Sequence, residues 1–194
     1  SIGADALMSV TPYYNKTTQE GLLRHFYTIA ESARLPLIVY NVPSRTGMDI
    51  SLETCKKLAE HPLIAGIKEA SGDMAQCMQI LRERPDEFMV VSGDDALVLP
   101  QVACGMDGVI SVAANALPKE FTHMVRLCLK GDFKAAKQLN DRLIEAYNLM
   151  FEENNPAGVK AFMAEMNLLQ NHLRLPMVPL SEGVYERVKA FLKA

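Results

Sequence analysis

The sequence predicts an α/β protein built on a parallel sheet, followed by a helical segment that contains no strands. Three observations carry this. Short apolar runs alternate with amphipathic stretches from residue 6 to residue 130, which is the pattern of consecutive βα units. No glycine-rich phosphate loop follows any of the runs, which leaves the nucleotide-binding, doubly wound version of such a sheet without support. From residue 132 onward the pattern is helical only.

The elements follow in order. Ala6-Leu7-Met8-Ser9-Val10-Thr11, with the lead-in Ile2-Gly3-Ala4-Asp5, is the first strand. Gln19 to Arg34 sets Leu22, Leu23, Phe26, Ile29, Ala30 and Ala33 on one helical face. Leu37 to Tyr40 is the second strand, and Ser51 N-caps a helix that buries Leu52, Cys55, Leu58 and Ala59. Leu63 to Lys68 is the third strand, and Asp73 caps a helix carrying Met74, Cys77, Met78 and Leu81. Phe88 to Ser92 is the fourth strand, followed by a helix near Ala96 to Cys104. Gly108 to Ser111 is the fifth, followed by a helix over Pro118 to Lys130. Beyond it, Phe133, Ala136, Leu139, Leu143, Tyr147 and Met150 form one stripe of a long helix from Asp132 to Phe151. Asn155-Pro156 reads as N-cap and first residue of another helix. Ser181 opens the last, with Val184, Val188, Phe191 and Leu192 inward.

The expected division is therefore residues 1–131, a set of βα units, and residues 132–194, a helical domain. A closed eight-stranded (β/α)8 barrel takes about 250 residues. Five units are read as the last five of such a barrel, lacking roughly three at the N-terminal side. The alternative is an open sheet of five strands.

Composition narrows the function. The chain is 49% hydrophobic and 22% charged, which suits a packed core and argues against disorder. A net charge of −3 offers no basic footprint for nucleic acid or an anionic membrane. No apolar run reaches the ~20 residues of a membrane span, and no signal-peptide pattern opens the chain. The cysteines, Cys55, Cys77, Cys104 and Cys128, are dispersed and read as reduced cytosolic thiols. The four histidines have no partner at helical ligand spacing, so no metal site is expected.

Lys68 carries the most chemical information. It ends an apolar strand, where desolvation lowers an amine's pKa and leaves more of the nucleophilic free base. Taken alone it also reads as a lysine snorkelling off a strand end. Tyr40 ends the preceding strand, and adjacent parallel strands lie about 4.8 Å apart. A phenol would then stand beside an amine at the face where barrel active sites lie, able to relay protons. Alone it reads as a rim tyrosine. Arg45, on the Pro/Gly-punctuated loop Val42 to Gly47, can clamp a carboxylate through both guanidinium nitrogens, or be merely solvated. Tyr13 and Tyr14 form a pair on a strand-end loop that reads as packing or an interface.

Together these segments resemble the dihydrodipicolinate synthase family of pyruvate-dependent class I aldolases. The likeness rests on Thr11-Pro12-Tyr13-Tyr14, Tyr40-Asn41-Val42-Pro43-Ser44-Arg45-Thr46-Gly47 and Gly66-Ile67-Lys68-Glu69-Ala70-Ser71-Gly72-Asp73. It continues in Ser92-Gly93-Asp94-Asp95, Gly105 to Ser111 and Asn155 to Lys160. The resemblance implies a (β/α)8 barrel and condensation of pyruvate with L-aspartate-4-semialdehyde toward diaminopimelate and lysine. Lys68 would form the imine, so no further cofactor is implied, and Tyr40 would shuttle protons. Tyr14 would cross a subunit interface to complete a neighbour's proton relay, in a cytoplasmic homo-oligomer, dimer or tetramer. Arg45 would bind the semialdehyde carboxylate, Gly93 and Ile110 would touch the keto acid through backbone atoms, and Tyr13 would sit near a lysine-inhibition site.

The family's paired-threonine motif has no counterpart; Thr17-Thr18 lies in a different loop. Two other readings stand beside the synthase. One is a related lyase of the N-acetylneuraminate or keto-deoxy-sugar-acid type. The other is a non-catalytic piece that keeps only fold and oligomer contacts. Tyr13-Tyr14 and the Ser44-to-Gly47 loop favour the synthase.

Overall fold

A computed structural model describes residues 3–194, so Ile2 of the strand lead-in lies outside the described residues. The chain forms two compact units, the first ending at Ile110 and the second running from Ser111 to Ala194.

The first unit is a five-stranded, all-parallel sheet in the order β1 (Leu7–Val10), β2 (Leu37–Asn41), β3 (Ile64–Glu69), β4 (Met89–Ser92), β5 (Gly108–Val109). Its crossovers are α1 (Gln19–Ala33), a short α2 (Pro43–Thr46) with α3 (Leu52–Ala59), α4 (Met74–Glu83) and α5 (Val98–Ala103). Every predicted strand and crossover helix is present, with ends that move by a residue or two. α2 is an addition; four residues leave too short a window for periodicity to show. The caps are chemical. The side chains of Thr18, Ser51 and Asp73 accept from the N–H groups of Gly21, Thr54 and Gln76, satisfying donors that a helix start leaves open. Arg34 ends α1 in the left-handed region, φ 55°. Thr17-Thr18 is thus the lead-in to a helix.

Alternation along β2 buries Leu37, Val39 and Asn41 and leaves Ile38 and Tyr40 half-buried. Leu37 pairs with Ile64, but Ile38 pairs with Gly66, so the β2–β3 register shifts by one residue at Ala65. Val39 then meets Ile67, Tyr40 meets Lys68 and Asn41 meets Glu69. A side chain at Gly66 would run into the Met89 carbonyl oxygen of β4 at 2.3 Å, which is why this strand carries a glycine. Leu22, Phe26 and Ala30 of α1 and Leu58 of α3 are fully or almost fully buried. Each such large apolar side chain contributes about 1.5–3 kcal/mol.

The second unit holds a 3₁₀ turn at Ala113–Asn115, then α6 (Pro118–Leu129), α7 (Phe133–Phe151), α8 (Ala157–Glu165) and α9 (Glu182–Lys193). Asp132 caps α7 by accepting from the Ala135 N–H. Phe121 of α6 meets Tyr147 of α7 edge-to-face, centroids 6.1 Å apart. This packing joins α6 to α7 within the second unit. Phe162 of α8 lies 5.6 Å from Phe191 of α9. A side chain at Gly158 would strike the Met150 carbonyl oxygen at 2.1 Å; α7 and α8 approach that closely.

Two local expectations change. Phe133, placed on the inward stripe of α7, is 38% exposed, because it is the first residue of the helix and overhangs its packed face. Pro156 stands at the N-cap of α8 rather than its first turn, with non-helical φ −97°, ψ 8°. Ser181 opens α9 as expected, with its hydroxyl donating to Glu153 at 2.5 Å.

Candidate active site

Lys68 is the penultimate residue of β3 and only 8% exposed. Its Nζ lies 4.1 Å from the centroid of the Tyr40 ring, the residue opposite it across the β2–β3 ladder. Burial pushes the amine below the usual lysine range, with Asp95 pulling the other way. Burial raises the Tyr40 phenol, and the Arg45 guanidinium counters it. The sheet thus brings together a desolvated amine, a phenol and, within electrostatic reach, a cation. Such an amine can attack a carbonyl carbon. The contact seen is with the face of the tyrosine ring, which holds the ammonium form by its quadrupole.

Gly93, just past β4, has a physical reason to be glycine. A Cβ there would sit 2.9 Å from Lys68 Cε and 2.7 Å from the Ala70 Cβ. Its N–H donates to the Glu69 carbonyl at 2.7 Å, and the Ile110 N–H donates to the Ser92 carbonyl at 2.9 Å. Both amides are committed to the sheet, so backbone contact with a ligand falls to the carbonyl oxygens.

Arg45 is exposed on α2, and the turn beneath it is anchored. Thr11, at the end of β1, is fully buried, and its hydroxyl donates to Thr46 Oγ1 at 3.1 Å. Thr46 in turn donates to a backbone carbonyl, with Val42 at 3.2 Å and Met48 at 3.0 Å in reach. The loop that bears the tyrosine pair is thereby tied to the turn that bears Arg45. Tyr13 is 69% exposed and Tyr14 is 91% exposed. Tyr14 also has φ 62°, a conformation that costs a non-glycine residue about 1–2 kcal/mol. The structure does not gather these two tyrosines around Lys68; it presents them outward.

On the helix-covered face of the same strand ends lies a second buried polar group. Glu69 is fully buried, with Oε2 accepting from Asn41 Nδ2 at 2.9 Å and Oε1 from the Ser71 N–H at 2.5 Å. Asn41 Nδ2 also donates to Asp49 at 2.8 Å, and Asn41 Oδ1 accepts from the Ile50 N–H at 3.1 Å. Burial holds the Glu69 carboxyl above the usual range, and its two donors partly offset this. Sequence reading missed Asn41, Glu69, Asp95 and the Thr11–Thr46 pair. One signal was available: if Tyr40 and Lys68 share a rung, Asn41 and Glu69 share the next.

A groove of about 710 Å³ belongs to the second unit and is lined by Pro118, Lys119, Glu120, Thr122, His123, Arg126 and Leu139. It contains none of the residues above. Among the described residues, no three His, Cys, Asp or Glu side chains gather as a metal set, and no helix is long and apolar enough to cross a membrane.

Known proteins are similar to this chain. A 4-hydroxy-tetrahydrodipicolinate synthase from Neisseria meningitidis serogroup C is 50% identical over 192 residues, 99% of this chain and 66% of the relative. The chain therefore spans just under two thirds of that relative's length. The crystal structure of a chloride-inhibited dihydrodipicolinate synthase from Acinetobacter baumannii, complexed with pyruvate, superposes with TM-score 0.95 at 44% identity. That match covers 98% of this chain and 66% of the other. The enzyme from Aquifex aeolicus superposes equally well, TM-score 0.95, at 38% identity over the same shares. The fold class is that of the (β/α)8-barrel synthases, here five βα units with a helical C-terminal part. The profile of the Dihydrodipicolinate synthetase family matches residues 1–194, and the chain belongs to that family.

Proposed function

We propose that this chain is the Schiff-base-bearing part of a 4-hydroxy-tetrahydrodipicolinate synthase. It would join pyruvate to L-aspartate-4-semialdehyde on the route to diaminopimelate and lysine. The observation that carries the reading is the buried Lys68 amine, 4.1 Å from the Tyr40 ring centroid at the C-terminal strand ends. In this reading Lys68 Nζ attacks the pyruvate keto carbon and releases its oxygen as water, and the resulting imine serves in place of any cofactor. Tyr40 moves the protons of that exchange. Arg45, on its anchored turn, takes the carboxylate of the incoming aldehyde. The carbonyls of Gly93 and Ile110 border the keto acid. Residues 1–131 would carry the chemistry and 132–194 the helical domain.

The exposure of Tyr14 and its left-handed backbone support its use against a second subunit, with Tyr13 beside it near an effector site. The partner would be another copy, in a dimer or tetramer, and the setting the cytoplasm.

Pyruvate with borohydride tests the reading. The chain should gain one reduced pyruvate adduct, mapped to the peptide of Lys68. An adduct on Lys56, Lys57 or Lys119, or none at all, overturns the assignment. A coupled assay with the semialdehyde then separates the synthase from a sugar-acid lyase.

A further inference from the structure

We infer that Glu69 and Asn41 are positioning residues, a clamp on the far side of the sheet that holds Tyr40 over Lys68 and seats the turn carrying Arg45. The inference rests on Lys68 being the imine-forming lysine.

Among the described residues, no cation is bonded to Glu69. A fully buried carboxylate is costly unless paired, yet its bonded partners are an amide and a backbone N–H. The nearest charged group on its own face is another carboxylate, Asp49, which repels it. The other ionisable groups facing it are thiols, Cys55 from α3 and Cys77 from α4, each pushed up to about 12 by burial and then by Glu69. An apolar residue would pack there more cheaply. What the carboxylate supplies is direction. Its two oxygens fix Asn41 and Ser71 at set angles.

Asn41 carries that direction onward. Both its amide hydrogens and its oxygen are used, to Glu69, Asp49 and the Ile50 N–H. The Asn41 carbonyl also accepts from the Ala70 N–H at 2.9 Å. The network joins the ends of β2 and β3, the loop after β3 and the segment returning from α2. Arg45 sits between the two anchored points, Asn41 and Asp49. The Asn41–Glu69 rung is next to the Tyr40–Lys68 rung. Any slip of the first is a slip of the second.

The clamp can be reversed chemically. In Glu69→Gln/Asn41→Asp/Asp49→Asn, Gln at 69 donates to Asp at 41, Asn at 49 donates to the same carboxylate, and the Ser71 and Ile50 N–H groups keep their acceptors. Glu69→Gln alone, or Asn41→Asp alone, leaves two donors or two carboxylates face to face.

The test measures the rate of pyruvate–borohydride trapping at Lys68 against pH, with folding followed by circular dichroism. Each single change should slow trapping about 10²-fold, the worth of an ångström-scale misplacement. It should also raise the pH midpoint, because a displaced amine regains solvent. The triple change should restore rate and midpoint. A folded Glu69→Gln chain with the parent's rate and midpoint overturns the inference, as does a folded triple variant that traps no better than the singles. If the singles do not fold, the triple variant decides by the same criterion. A parent chain that is not trapped at Lys68 instead removes the reading beneath.

Discussion

The two units bury different things. Thr11, Asn41, Thr46, Thr54, Lys68, Glu69, Ser92, Asp95 and Gln101 are the buried polar and charged side chains among the described residues, and every one belongs to the first unit. The second unit buries apolar side chains such as Phe121, Met124, Leu143, Met150, Phe162 and Val188. Burying polar groups costs free energy, which proteins accept chiefly where orientation or altered reactivity is needed. The contrast separates a region that holds oriented polar groups out of water from one built on apolar packing.

Lys68→Met should give the sharpest break: trapping by pyruvate disappears while stability does not fall. The sign follows from the lowered amine pKa. Between the folded value and the ordinary one the unfolded chain binds the extra proton, so the ammonium's penalty is full below the folded pKa and gone above the ordinary value. The methionine variant should therefore gain most in acid, as chemical denaturation at several pH values will show. Phe162→Ala in the second unit should do the reverse. It should lose about 3–5 kcal/mol of stability and keep the pH midpoint of Lys68 trapping. A midpoint that moves would mean that the two regions are not separable in this way.

Arg45→Ala should weaken use of the aldehyde substrate by about 1.5–3 kcal/mol, the worth of a hydrogen bond to a charged group, with pyruvate trapping little changed. The separate KM values of the two substrates report this; equal effects would make Arg45 a loop anchor. The smallest effect concerns the thiols. Cys55 and Cys77 are pushed up to about 12, and Cys104 is exposed. Iodoacetamide at neutral pH should label Cys104 first, read by peptide mass.

Much of this was legible because the residues concerned obey local rules. Asp73 and Ser51 cap helices as their positions predict, and Tyr40 and Lys68 end neighbouring strands as the apolar runs imply. Pro156 escaped because its backbone, at φ −97° and ψ 8°, lies outside the helical angles that a first-turn proline takes. The helical reading from residue 132 onward came from where strands stop, and α6 before it packs on α7 as well. Glu69 went unread since the chemistry of Lys68 drew attention to one face, while the clamp lies on the other.

The register shift at Ala65 has a consequence in counting. Along a plain strand, Ile64 and Lys68 would share a face, since residues an even number apart point the same way. Here Ile64, Ile67 and Glu69 share the helix side, and Lys68 points to the other. Pair the same residues without that bulge and the ladder would set Lys68 against Asn41, among the helices, with Ile67 beside Tyr40. The side of the sheet that receives the Lys68 amine is thus a single binary digit, written in the pairing of the backbone rather than in any side chain. A search for reactive residues by composition or motif would not detect its loss, because every letter of Gly66-Ile67-Lys68-Glu69 would still be present.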